Sequence, residues 1–120
     1  YPETFEVLAG LSRKYPLIIS TGMPREFMPP IMGNIERFFR RVFSSYSDYR
    51  QFKTPSFYIT VCREMGIAPG EMVHVGDNRT KDFTMPKEVG VNAVHLDRKG
   101  KPDKEVLTDL TQLEGKIGEI

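Results

Sequence analysis

Three short apolar runs, each beside a polar or glycine turn and set apart by helix-like spacing, narrow the folds open to this chain more than any other feature. Leu17-Ile18-Ile19 stops at Ser20-Thr21-Gly22, Met72-Val73-His74-Val75 stops at Gly76-Asp77, and Asn92-Ala93-Val94-His95-Leu96 follows Gly90. Runs this short and this continuously apolar read as strands covered on both faces, the condition of a parallel sheet. Before the first, Phe5, Leu8 and Leu11 recur at three-residue spacing up to Lys14, with Pro2 suited to a helical first turn. Between the first and second, Phe57, Val61, Cys62 and Met65 form an apolar helical face that starts near Pro55 and ends at Gly66. Val42-Phe43 and Val106-Leu107 are further strand candidates, and Leu110, Leu113 and Ile117 mark a closing helix. Residues 24–40 read as short helical pieces because Pro29-Pro30 and Gly33-Asn34 interrupt them; Ser44 to Gln51 is a polar connection. The segment from Thr80 to Val89 reads as a loop and a short helix with Pro86 near its start. Strands alternating with helices predict an α/β fold with a parallel sheet, and 120 residues suffice for one domain spanning residues 1–120.

Composition narrows the chemistry. Lys plus Arg (17) nearly balances Asp plus Glu (16), so a net charge of +1 supplies no global field for nucleic acid or a membrane surface. Any charged ligand must be held locally. Cys62 is the only cysteine, which excludes a disulfide framework and a cysteine-based zinc site, and a reducing cytoplasm is the expected setting. No apolar stretch approaches the roughly 20 residues of a membrane helix. The chain opens Tyr1-Pro2 without an initiator Met, and an upstream segment is expected.

In an open parallel sheet, ligands bind outside the carboxyl ends of the strands. Ser20, Thr21 and Gly22 stand at one such end, and Gly76, Asp77 and Asn78 at another, while Lys53 precedes a helix and can supply positive charge. Singly, each has an ordinary explanation: a Ser or Asp after a strand is commonly a helix cap, and a lone Lys is commonly solvated. Asp77 and Asp82 together are more informative, because two carboxylates across a Gly-led turn can bind a hard cation such as magnesium through oxygen.

In order and spacing these pieces resemble the haloacid dehalogenase (HAD) superfamily. Leu17 to Gly22 resembles its second motif, Lys53 ahead of the Pro55 helix its third, and Gly76-Asp77-Asn78-Arg79-Thr80-Lys81-Asp82 its fourth, usually written GDSxxxD. The resemblance implies a Rossmann-like three-layer fold with a parallel sheet, and magnesium-dependent phosphomonoester hydrolysis through an aspartyl-phosphate. By the same likeness, Ser20 hydrogen-bonds the transferring phosphoryl group with help from the Thr21 N–H, and Lys53 neutralises charge on the phosphate and nucleophile. Asp77 ligates magnesium, and Asp82 holds the metal's water shell or orients Lys53. The implied ligand is a small phosphorylated metabolite.

Small departures are Thr21 where Asn is common, Asn78 where Ser is common, and a slightly short Lys53 loop. A larger one is that no Asp is followed two positions later by another Asp, so the family's DxD nucleophile motif is missing. The resemblance therefore describes the C-terminal part of a phosphohydrolase, lacking the cap and the first, central strand, and this chain alone is expected to be inactive. Edges bared by that strand are expected to pair with each other, with a second copy, or with the missing N-terminal segment. The alternatives are a haloacid dehalogenase-type hydrolase and a noncatalytic α/β binding or interaction module. Arg37, Arg40 and Arg41 interleaved with Phe38 and Phe39 could form a nucleic-acid patch, but a helix with buried Phe and solvated Arg accounts for them as well. His74 and His95 read as core or strand-end residues, and Cys62 as a packing residue.

Overall fold

A computed structural model describes residues 3–23, 33–50, 53–100 and 105–119. The expectations for Pro2, for residues 24–32 and for Gln51 lie outside the described residues. The chain divides into two compact units, Tyr1–Lys53 and Thr54–Ile120.

In the first unit, helix α1 (Glu3–Ser12) buries Leu11, and its Phe5 ring meets Phe38 edge-on at 5.2 Å. Phe38 belongs to a 3-10 helix, Gly33–Phe38, which is one of the short helical pieces expected around the Gly33-Asn34 break. Strand β1 (Ile18–Thr21) pairs in parallel with β2 (Arg41–Ser44), placing Ser20 opposite Phe43 and Thr21 opposite Ser44. The polar stretch after β2 is a helix, α2 (Ser45–Tyr49), where the sequence reads as a plain connection. Local hydrogen bonding makes it one: the Ser44 hydroxyl accepts from the Ser47 N–H, Asp48 accepts from the Ser44 N–H, and Arg50 closes the turn in the left-handed region (φ 54°).

In the second unit, α3 (Pro55–Met65) opens on a Thr54 cap with Pro at its start and closes at Gly66, whose φ of 70° suits glycine. Its inner face is Phe57, Tyr58, Val61 and Cys62, all buried, and Ile59 on the outside is exposed. Strands β3 (Val73–Gly76), β4 (Asn92–Leu96) and β5 (Val106–Leu107) form a parallel three-stranded sheet in that order. Between β3 and β4 the chain is helical from Arg79 to Glu88, first as a π-helical stretch, Arg79–Thr84, then as α4 (Met85–Glu88). Pro86 is tolerated because it falls in the first turn of α4, where its missing N–H has no intrahelical duty. A 3-10 turn, Leu110–Gln112, leads into α5 (Leu113–Glu119), with Leu113 buried. Phe83, Val91, Ala93, Val94 and Leu107 complete the apolar interior of this unit.

The α/β class with parallel strands is thus as the sequence predicts. Among the described residues β1 pairs only with β2 in the first unit and β3 only with β4 in the second, so β1 and β3 are each an edge strand of their own sheet. Arg37 lies over the rings of Phe5 and Phe38, and Arg41 over that of Phe43, so these aromatics are engaged within the unit. Among the described residues no helix is long and apolar enough to cross a membrane.

Candidate functional site

Two strand ends carry the chemistry, one in each unit. In the first unit the chain leaves β1 through Ser20 and Thr21 and turns at Gly22. The Thr21 hydroxyl accepts from the Met23 N–H at 3.1 Å, and the Ser44 hydroxyl donates to the Met23 carbonyl at 2.7 Å. The turn is therefore pinned from its own strand and from the neighbouring one. Ser20 is half-buried and makes no side-chain hydrogen bond among the described residues. Gly22 has the Lys53 stem beside it: a Cβ there would lie 3.9 Å from both Cγ and Cδ of Lys53. The structure thus brings Ser20, Thr21, Gly22 and Lys53 into one neighbourhood within one unit.

Ser45 is a polar residue of this neighbourhood that sequence reasoning missed. It is fully buried, its hydroxyl has no hydrogen-bond partner among the described residues, and it lies 3.7 Å from the position of a Gly22 Cβ. An unsatisfied buried hydroxyl is costly, by about 1–3 kcal/mol. The available signal was the serine pair Ser44-Ser45 directly after an apolar strand. One serine caps α2 and the other is spare.

In the second unit β3 ends at Gly76, and the turn that follows is tied into a closed set of hydrogen bonds. The Asn78 side chain accepts from the Lys81 N–H at 2.8 Å, capping the helical stretch, so Asn does here what a Ser would do. The Asn78 N–H donates to Asp82 Oδ2 at 3.0 Å, and the Asp82 N–H donates back to the Asn78 carbonyl at 2.8 Å. Asp82 is 6% exposed, and its Oδ1 lies 3.0 Å from His74 Nε2 on β3. Its carboxylate sits so close over Gly76 that a Cβ there would fall 2.3 Å from Cγ. Close approach, not an unusual backbone angle, is why glycine precedes Asp77.

Asp77 is the exception in this set. It is exposed, and among the described residues no hydrogen bond or ion pair engages its carboxylate. Its carbonyl accepts from His95 Nε2 at 3.1 Å, across the Gly76–His95 register of β3 and β4. The two histidines are strand residues as expected, but their rings also brace the Asp77 turn, which the apolar context of each concealed. Cys62 packs as expected: it is buried, burial pushes its thiol up, and its sulfur lies 3.9 Å from that of Met72.

A hard cation is matched by the kind of donor that Asp77 offers, an accessible carboxylate oxygen on a braced turn. Among the described residues no group of three or more His, Cys, Asp or Glu side chains could hold a metal ion. Asp77 fits as one ligand of a set and not as a site by itself.

Polar residues at the carboxyl ends of parallel strands stand where open α/β sheets bind their ligands. This chain belongs to the haloacid dehalogenase-like hydrolase family, whose model matches residues 1–90. It is 30% identical over 99 residues to the phosphoglycolate phosphatase of Escherichia coli strain K12, a match covering 80% of this chain and 39% of that protein. The chain therefore spans about two fifths of the length of the curated relatives it matches. Among solved structures, it is similar to a HAD phosphatase from Thermococcus onnurineus (27% identity, TM-score 0.85, 98% of this chain and 58% of that one). It also shares the fold of a 2-haloacid dehalogenase from Pseudomonas syringae (19% identity, TM-score 0.86, 99% of this chain and 53% of that one).

Proposed function

We propose that the polypeptide carrying these residues is a magnesium-dependent phosphomonoester hydrolase acting on a small phosphorylated metabolite in the cytoplasm. The observation that carries this reading is the contrast within one turn. Asp82 is buried and held through both oxygens, while Asp77, five positions before it, is exposed and its carboxylate is unengaged among the described residues. Folding has braced one acid to present the other. Likeness to a phosphoglycolate phosphatase supports a small anionic phosphate ester as the substrate class.

In this reading the Ser20 hydroxyl and the Thr21 N–H hold phosphoryl oxygens, with Gly22 leaving room for them beside Lys53. Lys53 offsets charge on the phosphate and on the attacking carboxylate. Asp77 supplies an oxygen ligand to magnesium, and Asp82 acts by bracing. Bound magnesium would withdraw charge from the phosphoryl oxygens as the ester bond breaks. The nucleophile is a carboxylate outside these 120 residues. Its attack on phosphorus expels the alcohol, and water then hydrolyses the acyl phosphate to inorganic phosphate, regenerating the carboxylate.

An aryl phosphate assayed with magnesium tests this reading. The 120-residue chain alone should give no turnover above buffer. The full natural polypeptide should turn the ester over, and Asp77→Ala in it should remove activity by at least about a hundredfold, a loss of about 2.7 kcal/mol in transition-state stabilisation. Turnover indifferent to Asp77→Ala would refute the assignment. A full polypeptide inert toward phosphate esters but active without magnesium on a 2-haloacid would instead establish the dehalogenase, and inertness toward both would favour a binding module.

A further inference from the structure

Behind the Asp77 turn lies a polar cluster of buried Tyr58 and Asp82 with half-buried His74. Tyr58 on α3 is fully buried, and burial first, then the charge of Asp82, holds its phenol protonated far above the usual range. A phenol has one proton to give. That proton goes to the Lys81 carbonyl at 2.6 Å, and the Tyr58 oxygen lies 3.3 Å from His74 Nε2. An ionised carboxylate can only accept, so across the 3.0 Å between His74 Nε2 and Asp82 Oδ1 the ring nitrogen carries the hydrogen and Asp82 receives it. The ring is also held in place by packing, edge-on to Tyr58 with centroids 4.9 Å apart.

From these bonds we infer that His74 is a positioning residue for Asp77. His74 fixes one oxygen of Asp82, the other oxygen fixes the N–H of Asn78, and that peptide is the one leaving Asp77. The relay runs from the interior of β3 to the backbone that carries the exposed carboxylate. An apolar residue at position 74 would fill the same space and leave Asp82 with one anchor fewer. The inference deepens the phosphohydrolase reading and rests on it only for the metal.

The test uses the full natural polypeptide with His74→Phe, which keeps bulk and removes the donor, and His74→Gln, which restores one. Amide hydrogen exchange is read at Asn78 and, as a control, at Val94 in β4; magnesium binding is read by calorimetry, and kcat and KM with an aryl phosphate. In His74→Phe the Asn78 amide should exchange at least about tenfold faster with Val94 unchanged, and magnesium affinity should fall by about ten- to a hundredfold while KM stays within about twofold. His74→Gln should recover most of the lost affinity. His74→Met serves in the same way should His74→Phe not fold. Asn78 exchange and magnesium affinity both within about twofold of wild type would overturn the inference, as would equal acceleration at Asn78 and Val94. If the wild-type polypeptide binds no magnesium and hydrolyses no phosphate ester, the phosphohydrolase reading fails, and exchange at Asn78 alone still judges the His74 relay.

Discussion

Single residues in this molecule earn their place through what lies directly against them. Gly76 is required because Asp82 occupies the space of its missing side chain, and Tyr58 because its one proton satisfies the Lys81 carbonyl inside the protein. The raised Tyr58 phenol has a consequence for stability. In the unfolded chain this group ionises near its ordinary value of about 10, whereas in the folded chain it stays neutral well beyond. Its contribution is therefore fully present below about pH 10 and is lost as pH rises from there toward the folded value, at up to about 1.4 kcal/mol per pH unit. Denaturant midpoints measured on either side of that pH should fall more steeply in the wild type than in Tyr58→Phe. Parallel curves would show that Tyr58 does not titrate differently in the two states.

At the scale of elements, helix ends decide more than helix middles. Gly66 closes α3 at φ 70° with open space around it, so the obstacle to a side chain there is conformational and not steric. Gly115, inside α5, also has open space and no positive φ. Alanine should consequently act in opposite directions at the two sites. Gly66→Ala should destabilise by about 1 kcal/mol, while Gly115→Ala should stabilise by about 0.5–1 kcal/mol. Chemical denaturation of the two variants measures both, and a shift of the same sign in each would contradict this account. The ends of α1, α3 and β4 were legible within a few residues because caps, prolines and apolar periodicity are local signals. Helix α2 was not, since its start depends on Ser44 and Asp48 bonding the same few backbone groups, a polar arrangement with no apolar stripe. The helical stretch before Pro86 was hidden for a related reason: Asn78 and Asp82 hold its first turn in place from a segment that reads as a loop.

For the molecule as a whole, the notable feature is two small parallel sheets, each with a strand-free edge among the described residues. Unpaired N–H and C=O groups on such edges either stay solvated or recruit another strand. We propose that the 120-residue chain by itself associates through them. Sedimentation velocity should show the sedimentation coefficient rising with concentration, and the rise should vanish in the full natural polypeptide if its further residues cover those edges. A chain that stays monomeric across the whole concentration range would dispose of this proposal.

By itself the sequence determined the alternation of strands and helices, the parallel class and the residues at the strand ends, because apolar runs, helical spacing and turn chemistry act over a few neighbours. It also placed Ser20, Lys53, Asp77 and Asp82 as the residues to watch. Only the tertiary structure decided that Lys53 lies beside Gly22, that Ser45 is buried without a hydrogen-bond partner among the described residues, and that Asp82 is clamped while Asp77 is exposed. It alone placed His74, a residue of an apolar run, within hydrogen-bond distance of Asp82. The reason is physical: hydrogen bonds and close contacts between residues distant in sequence depend on where side chains meet, and no local pattern of residue types records that.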